Sequence, residues 1–347
     1  MKEITKENKL EQLLSNKEVI DLKLSYSRIF DFDRNGPKAL IRPSNPEGDG
    51  LRFGSYVDDL LVDKITNFDL CKNLYIVYDD NKPTATLGTL CDIIIDNYDS
   101  IPDKNTVLKI VKHNGFWSNI KTEDKLIANF DKDEFWNYIK IKFETKDKVV
   151  VTQKESQDAE ECVDLLLNHK HTHHLFNNDF ENHYQYKFEY YYKGFYLRGI
   201  IDKMSIDHKN KIVYMEDIKT GSSRADEFTK SFIKYRYYFQ EAVYTKAFHS
   251  ICEQLKLPVV ENYTLAPFKF IFIGRGEKVP HVFEISDKWH NAAINGFTTK
   301  AGYRYKGLDE NLDLIYYHWK NKLYDFSQEV YENNGSLILN DDFIEIN

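Results

Sequence analysis

Cysteine is scarce in this chain: four residues in 347, at Cys71, Cys91, Cys162 and Cys252. They form no C-x-x-C pair and have no histidine beside them at zinc-finger spacing, which speaks against a disulfide framework and a structural zinc site. Reduced, buried thiols are the expectation. Long apolar runs are missing too. No stretch approaches the roughly 20 apolar residues of a membrane helix, and Met1-Lys2-Glu3-Ile4-Thr5-Lys6 is too polar for a signal peptide, so a cytoplasmic protein with no membrane partner is expected. Nothing matches G-x-x-x-x-G-K-[ST], and Gly274-Arg275-Gly276-Glu277-Lys278 is no complete phosphate loop, which excludes an ATP-driven motor of that type. Arginine is also sparse: nine of the 47 basic residues are Arg and the rest Lys. Any phosphate contact would therefore rest mainly on flexible point charges. The net charge is −8. That is unusual for a nucleic-acid binder, but a few gripped phosphates need only a local basic lining, and metal-binding carboxylates push the total the other way.

What is present is core material: 42% of residues are hydrophobic and 15% aromatic. No repeat, low-complexity tract or long linker divides it, so residues 1–347 read as one mixed domain. A short helix is expected over 8–21, a second after the N-cap signal in Leu24-Ser25-Tyr26-Ser27, and a third after Gly54. Residues 65–150 read as a helical insertion or lobe. Thr152 caps a helix ending near His169. From Tyr184 the period changes to that of strands. Tyr184–Tyr192, the turn Lys193-Gly194 and Phe195–Asp202 predict a β-hairpin, followed by a strand over Ile212–Ile218. A long amphipathic helix over 226–250, an antiparallel pair at Phe268–Ile273 and His281–Ile285, and closing helices over 287–325 complete the pattern. The predicted class is α/β (α+β): a small mixed sheet flanked by helices, with helical N- and C-terminal elaborations and a catalytic core at 184–250.

The chemistry-bearing residues fall inside that core. Gly199-Ile200-Ile201-Asp202 ends one strand, and Met215-Glu216-Asp217-Ile218-Lys219-Thr220 lies on the next. Side chains alternate along a strand, so Asp217 and Lys219 share a face, Ile218 points to the core, and Glu216 faces away toward a lysine partner. Two carboxylates on adjacent strands can hold one hard divalent cation, Mg2+ or Mn2+ as its substitute, with water completing the shell. Lys219 can then orient a water or stabilise charge on a phosphate. Gln240 and Tyr244, four apart, share a helical face, and Lys230, Lys234 and Arg236 on the same segment are candidate DNA contacts. His169, His171, His173 and His174 cluster at a helix end and read as a solvated C-terminus.

The order Gly-apolar-apolar-Asp, Asp-x-Lys-Thr and Gln-x-x-x-Tyr resembles the RecB-like and RecE-like branch of the PD-(D/E)XK nucleases. Leu24-Ser25-Tyr26-Ser27 and Arg52-Phe53-Gly54-Ser55-Tyr56-Val57-Asp58 look like N-terminal segments of RecE-like phage exonucleases, and the strand pair around Pro280 is similar as well. The resemblance implies a restriction-endonuclease-like core and Mg2+-dependent exonucleolysis of duplex DNA ends in phage recombination or replication. It also implies catalytic roles for Asp202, Asp217, Lys219, Gln240 and Tyr244, a single-strand annealing partner and a homo-oligomer. Where that family has His four positions after the glycine, this chain has Asp58. Where it has Glu on the preceding strand, this chain has Gln185, with Glu189 on the same strand face. Any of these three could complete the metal shell. No iron–sulfur cluster is expected, because no cysteine follows Cys252. Two alternative readings are a structure-specific or nicking endonuclease, and a catalytically weak DNA-binding accessory protein.

Overall fold

The computed structural model describes residues 20–42, 49–80, 82–83, 85–145, 148–177, 179–221, 224–257 and 262–335. The helix expected over 8–21 lies almost wholly outside them. The chain divides into two compact units, one of residues 1–51 and 165–347, the other of Arg52–Asp164.

The first unit is a mixed sheet flanked by helices. Its strands are β1 (Lys23–Leu24), β2 (Glu181–Tyr192), β3 (Phe195–Asp207), β4 (Ile212–Gly221), β5 (Thr264–Leu265), β6 (Lys269–Gly274) and β7 (His281–Glu284). β2 and β3 form the expected antiparallel hairpin, longer than predicted. Its turn residues Lys193 and Gly194 both have positive φ, +47° and +94°, as a tight primed turn demands. The other edge of β3 is shared. Parallel β1 pairs with Tyr196–Leu197, and antiparallel β4 pairs with Lys203–Asp207, so Arg198–Asp202 have no strand on that edge. β4 changes partner in turn. Its first half pairs with β3, and from Glu216 to Gly221 it runs parallel to β6, which pairs antiparallel with β7 as expected.

The main helices of this unit are α1 (Tyr26–Asn35), α2 (Phe228–Lys234), α3 (Tyr237–Lys246), α4 (Phe248–Gln254), α5 (Asp287–Asn295) and α6 (Leu308–Asn321). The single amphipathic helix expected over 226–250 is thus three helices. Arg236 breaks it with φ +56°, held there by Asp33 at 2.8 Å and by a cation–π contact with Tyr305 at 4.7 Å. These long-range contacts override local helical periodicity. Residues Tyr238 through Tyr244 are all buried, so α3 is a core helix without a polar face. The closing helices over 287–325 are likewise interrupted, by a small antiparallel pair, Phe297–Thr298 with Arg304–Tyr305.

The second unit contains most of the helix Asp49–Thr66, which starts before Gly54 because its buried face already includes Phe53. Helices Ala85–Asn97, Lys104–His113, Glu123–Phe130 and Asp133–Glu144 pack around Leu90, Ile94, Val107, Phe130 and Phe135. A parallel strand pair, Tyr75–Tyr78 with Val149–Thr152, accompanies them. The predicted cap at Thr152 is a reciprocal box: its Oγ1 accepts from the Glu155 amide at 3.1 Å, and the Glu155 carboxylate accepts from the Thr152 amide at 2.7 Å.

Candidate active site

The partner change of β4 makes a fork. The β3–β4 ladder ends at Lys203↔Glu216, and one step further on each strand stand Asp202 and Asp217. On the opposite edge of β3 the ladder also lapses, at Gln185 opposite Asp202. Gln185 has φ +50°, a strained conformation for a β position held by a non-glycine residue. Its amide donates to Asp202 Oδ1 at 3.3 Å, and the Ile218 backbone N–H donates to Asp202 Oδ2 at 2.8 Å. Asp202 is therefore aimed into the fork from its own strand and tied to the next.

Asp217 is 1% exposed. Its Oδ2 is ion-paired with Lys219, two residues on and on the same strand face, and its Oδ1 accepts from Gln240 Nε2. Gln240 Nε2 also donates to the Tyr244 hydroxyl at 3.0 Å, one helical turn along α3. The Lys219 ammonium sits 4.8 Å from the Tyr237 ring centroid and 5.8 Å from that of Phe270. Burial alone would lower the affinity of Lys219 for its proton, but the charge of Asp217, with Tyr237 and Asp202, raises it, so the side chain stays an ammonium. Burial raises the Tyr244 and Tyr26 phenols above their ordinary range, and both stay neutral hydroxyls.

The glycine of Gly-x-x-Asp has a packing reason. A Cβ at Gly199 would meet the Phe188 ring at 2.6 Å and the Tyr244 ring at 2.8 Å. Helix α3 rests on the strandless stretch of β3, and only a hydrogen there lets Tyr244 settle beside Gln240.

Asp202, Asp217, Lys219, Gln240, Tyr244 and Gln185 thus converge. Glu189 does not join them: it stands opposite Arg198, four positions along the ladder from Gln185, and pairs with Lys23 at 2.8 Å. Asp58 belongs to the second unit. Lys230 and Lys234 are exposed on α2, whereas Arg236 is engaged with Asp33. Glu216 faces away, as expected, in a fully buried pair with Lys203, whose ammonium also donates to Ser205 Oγ at 2.6 Å.

Two residues near the centre were not assigned from sequence. Tyr237, whose ring supports Lys219, lies three positions before Gln240 and was legible only as an aromatic in a run of them. Tyr26 lies within electrostatic reach of Lys219 and Asp217, and its hydroxyl donates to the Tyr235 carbonyl at 2.5 Å. The parallel pairing of β1 with β3 brings it there.

Among the described residues, no group of three or more His, Cys, Asp or Glu side chains is placed to hold a metal ion. A cation at the fork would have two carboxylates from the chain, plus one neutral oxygen: Gln240 Oε1 is buried without a hydrogen-bond partner. This all-oxygen set suits a hard cation that keeps much of its water and borrows phosphate oxygens. No family model and no curated protein matches the chain.

Proposed function

We propose that the chain is a metal-dependent deoxyribonuclease with a PD-(D/E)XK core, cutting phosphodiester bonds at duplex DNA ends. The observation that carries this reading is the sheet fork, where Asp202, Asp217 and Lys219 meet beneath Gln240. Two carboxylates beside a part-buried ammonium make a poor general acid–base pair but a suitable seat for a phosphate and its cation. The preference for ends rests on the resemblance of the motif order and of the N-terminal segments.

Asp202 and Asp217 would hold Mg2+, which when bound supplies positive charge to the phosphate and makes a bound water a better nucleophile. The chain's own residues do the rest. Lys219, held between the Asp217 carboxylate and the Tyr237 ring, would stay an ammonium and donate a hydrogen bond to the oxygen on which charge accumulates. Gln240 fixes the rotamer of Asp217, and Tyr244 fixes Gln240. Gln185 and the Ile218 amide fix Asp202. The centre is therefore oriented before substrate arrives.

The test is end-labelled linear duplex and a covalently closed circle, each incubated with Mg2+ or EDTA. Digestion of the linear form that needs Mg2+ is expected, and cutting of the circle would favour an endonuclease instead. The folded Asp217→Asn protein should lose most hydrolysis, because an amide is a poor ligand for a hard cation. Lys219→Ala should slow single turnover by on the order of 100-fold with DNA affinity kept within a few-fold. Wild-type turnover by Asp217→Asn, or no metal-dependent cutting of any substrate, refutes the reading.

A further inference from the structure

Helix α1 carries Tyr26, Phe30 and Arg34 at successive fourth positions, so the three share one face. Tyr26 stacks on Phe30 with ring centroids 6.3 Å apart. Together with α2, this face encloses a groove of about 550 Å3 whose lining includes Phe30, Arg34, Lys230, Ile233, Lys234 and Tyr305. Four cations border it, and they are not equivalent. Arg236 is committed to Asp33 and to the Tyr305 ring, and Lys230 lies 3.3 Å from Glu227. Arg34 and Lys234 are exposed and have no acidic partner among the described residues, though the Lys234 ammonium lies 5.0 Å from the Tyr235 ring centroid.

The groove adjoins the fork. Lys234 is followed by Tyr235, whose carbonyl is bound by Tyr26 and whose ring stacks on Tyr237 at 5.7 Å, and Tyr237 is the ring beneath Lys219. One aromatic step, the Tyr235–Tyr237 stack, separates the groove from the centre. Two cations without a carboxylate partner among the described residues, beside an apolar wall of Phe30 and Ile233, match the chemistry of a nucleotide with a free ring face. A paired base is stacked on both faces and offers none to a side wall. The volume is that of a small-molecule site and falls within the range that holds one nucleotide.

We infer that this groove seats an unpaired nucleotide of the substrate strand, its phosphate on Arg34 and Lys234 and its base against Phe30 and Ile233. The inference takes its substrate from the nuclease reading, but its binding step needs no catalysis and can be measured alone. The probe is a labelled oligothymidylate of about 16 nucleotides, titrated by fluorescence anisotropy in Ca2+ across a salt series. Arg34→Ala with Lys234→Ala should weaken binding by on the order of tenfold and flatten the slope of log K against log salt by about 1.4. Both residues are exposed, and circular dichroism checks that the fold persists.

An abasic oligonucleotide of the same length should bind wild-type protein several-fold more weakly. Phe30→Ala should remove that difference. An unchanged slope in the double variant overturns the proposal, and so does equal affinity of wild-type protein for the abasic and thymidine strands. If no nucleic acid is hydrolysed while the charge- and base-dependent binding holds, the nuclease reading fails and the groove stands. If hydrolysis proceeds and binding ignores both changes, the groove alone fails.

Discussion

Replacing Gly199 by alanine adds one methyl group where the structure has no room for it. The new Cβ would lie 2.6 Å from Phe188 Cζ and 2.8 Å from Tyr244 Cε1, against optimal carbon contacts of about 3.5–4.0 Å. One or both rings must move by roughly 1 Å. Phe188 is 4% and Tyr244 6% exposed, so neither has solvent to move into, and overpacking of this kind costs about 1–3 kcal/mol. Urea titration should show that loss as a lower midpoint with an unchanged slope. The displacement also reaches the candidate centre, because the Tyr244 hydroxyl is bonded to Gln240 and Gln240 to Asp217. If the proposed nuclease reading holds, single-turnover hydrolysis should fall by at least tenfold, since a misplacement of about 1 Å can cost 100-fold. Phe188→Leu in the same chain makes room on the strand side and should recover part of both losses. A Gly199→Ala protein as stable and as active as wild type would refute the packing argument.

The buried pair behind the sheet should respond in opposite ways to single and double substitution. Lys203→Met leaves Glu216 charged and uncompensated and should cost about 3–5 kcal/mol, whereas Lys203→Met with Glu216→Leu should fall within about 1 kcal/mol of wild type; equal losses would show that the unpaired Glu216 charge is not the source of the cost. His290 donates from Nδ1 to Glu241 Oε1 at 2.7 Å, and that hydrogen bond raises its proton affinity above the ordinary 6.5. A raised value means stabilisation that is complete below about pH 6.5 and lost as pH climbs through the folded-state value. The stability margin of wild type over His290→Gln should therefore shrink as pH rises above about 6.5, and a margin that grows with pH would reverse the assignment.

How much could be read from sequence alone varied with the range of the interactions. The β2–β3 hairpin was legible because its determinants are local: aromatic alternation and a Lys-Gly turn. Asp202, Asp217 and Lys219 were legible as candidates because strand periodicity alone puts Asp217 and Lys219 on one face. The break at Arg236 was not. A non-glycine residue in the left-handed region carries no local signal, and the contacts holding it come from Asp33 and Tyr305, about 200 and 70 residues away. Lys203, adjacent to Asp202, read as an ordinary strand lysine because its burial depends on Glu216 and Ser205 across the sheet. Gln185 and Glu189 could not be separated by spacing, since both lie on one strand face. The break in the ladder opposite Asp202 separates them.

Helices α2 to α4 are also the connection by which the chain leaves β4 at Gly221 and returns as β6 at Lys269, parallel to it. Both hairpins that carry the carboxylates, β2–β3 and β3–β4, close between sequence neighbours, while the β4–β6 pairing must wait for this long excursion to be traversed. Gln240 and Tyr244 ride on that excursion. A nascent chain, or one caught midway in refolding, would thus hold Asp202 and Asp217 side by side before Gln240 and Tyr244 arrive to fix Asp217. In the proposed nuclease, the power to cut would arrive only after this slower, long-range pairing, and molecules still short of it would pass through the cell unarmed.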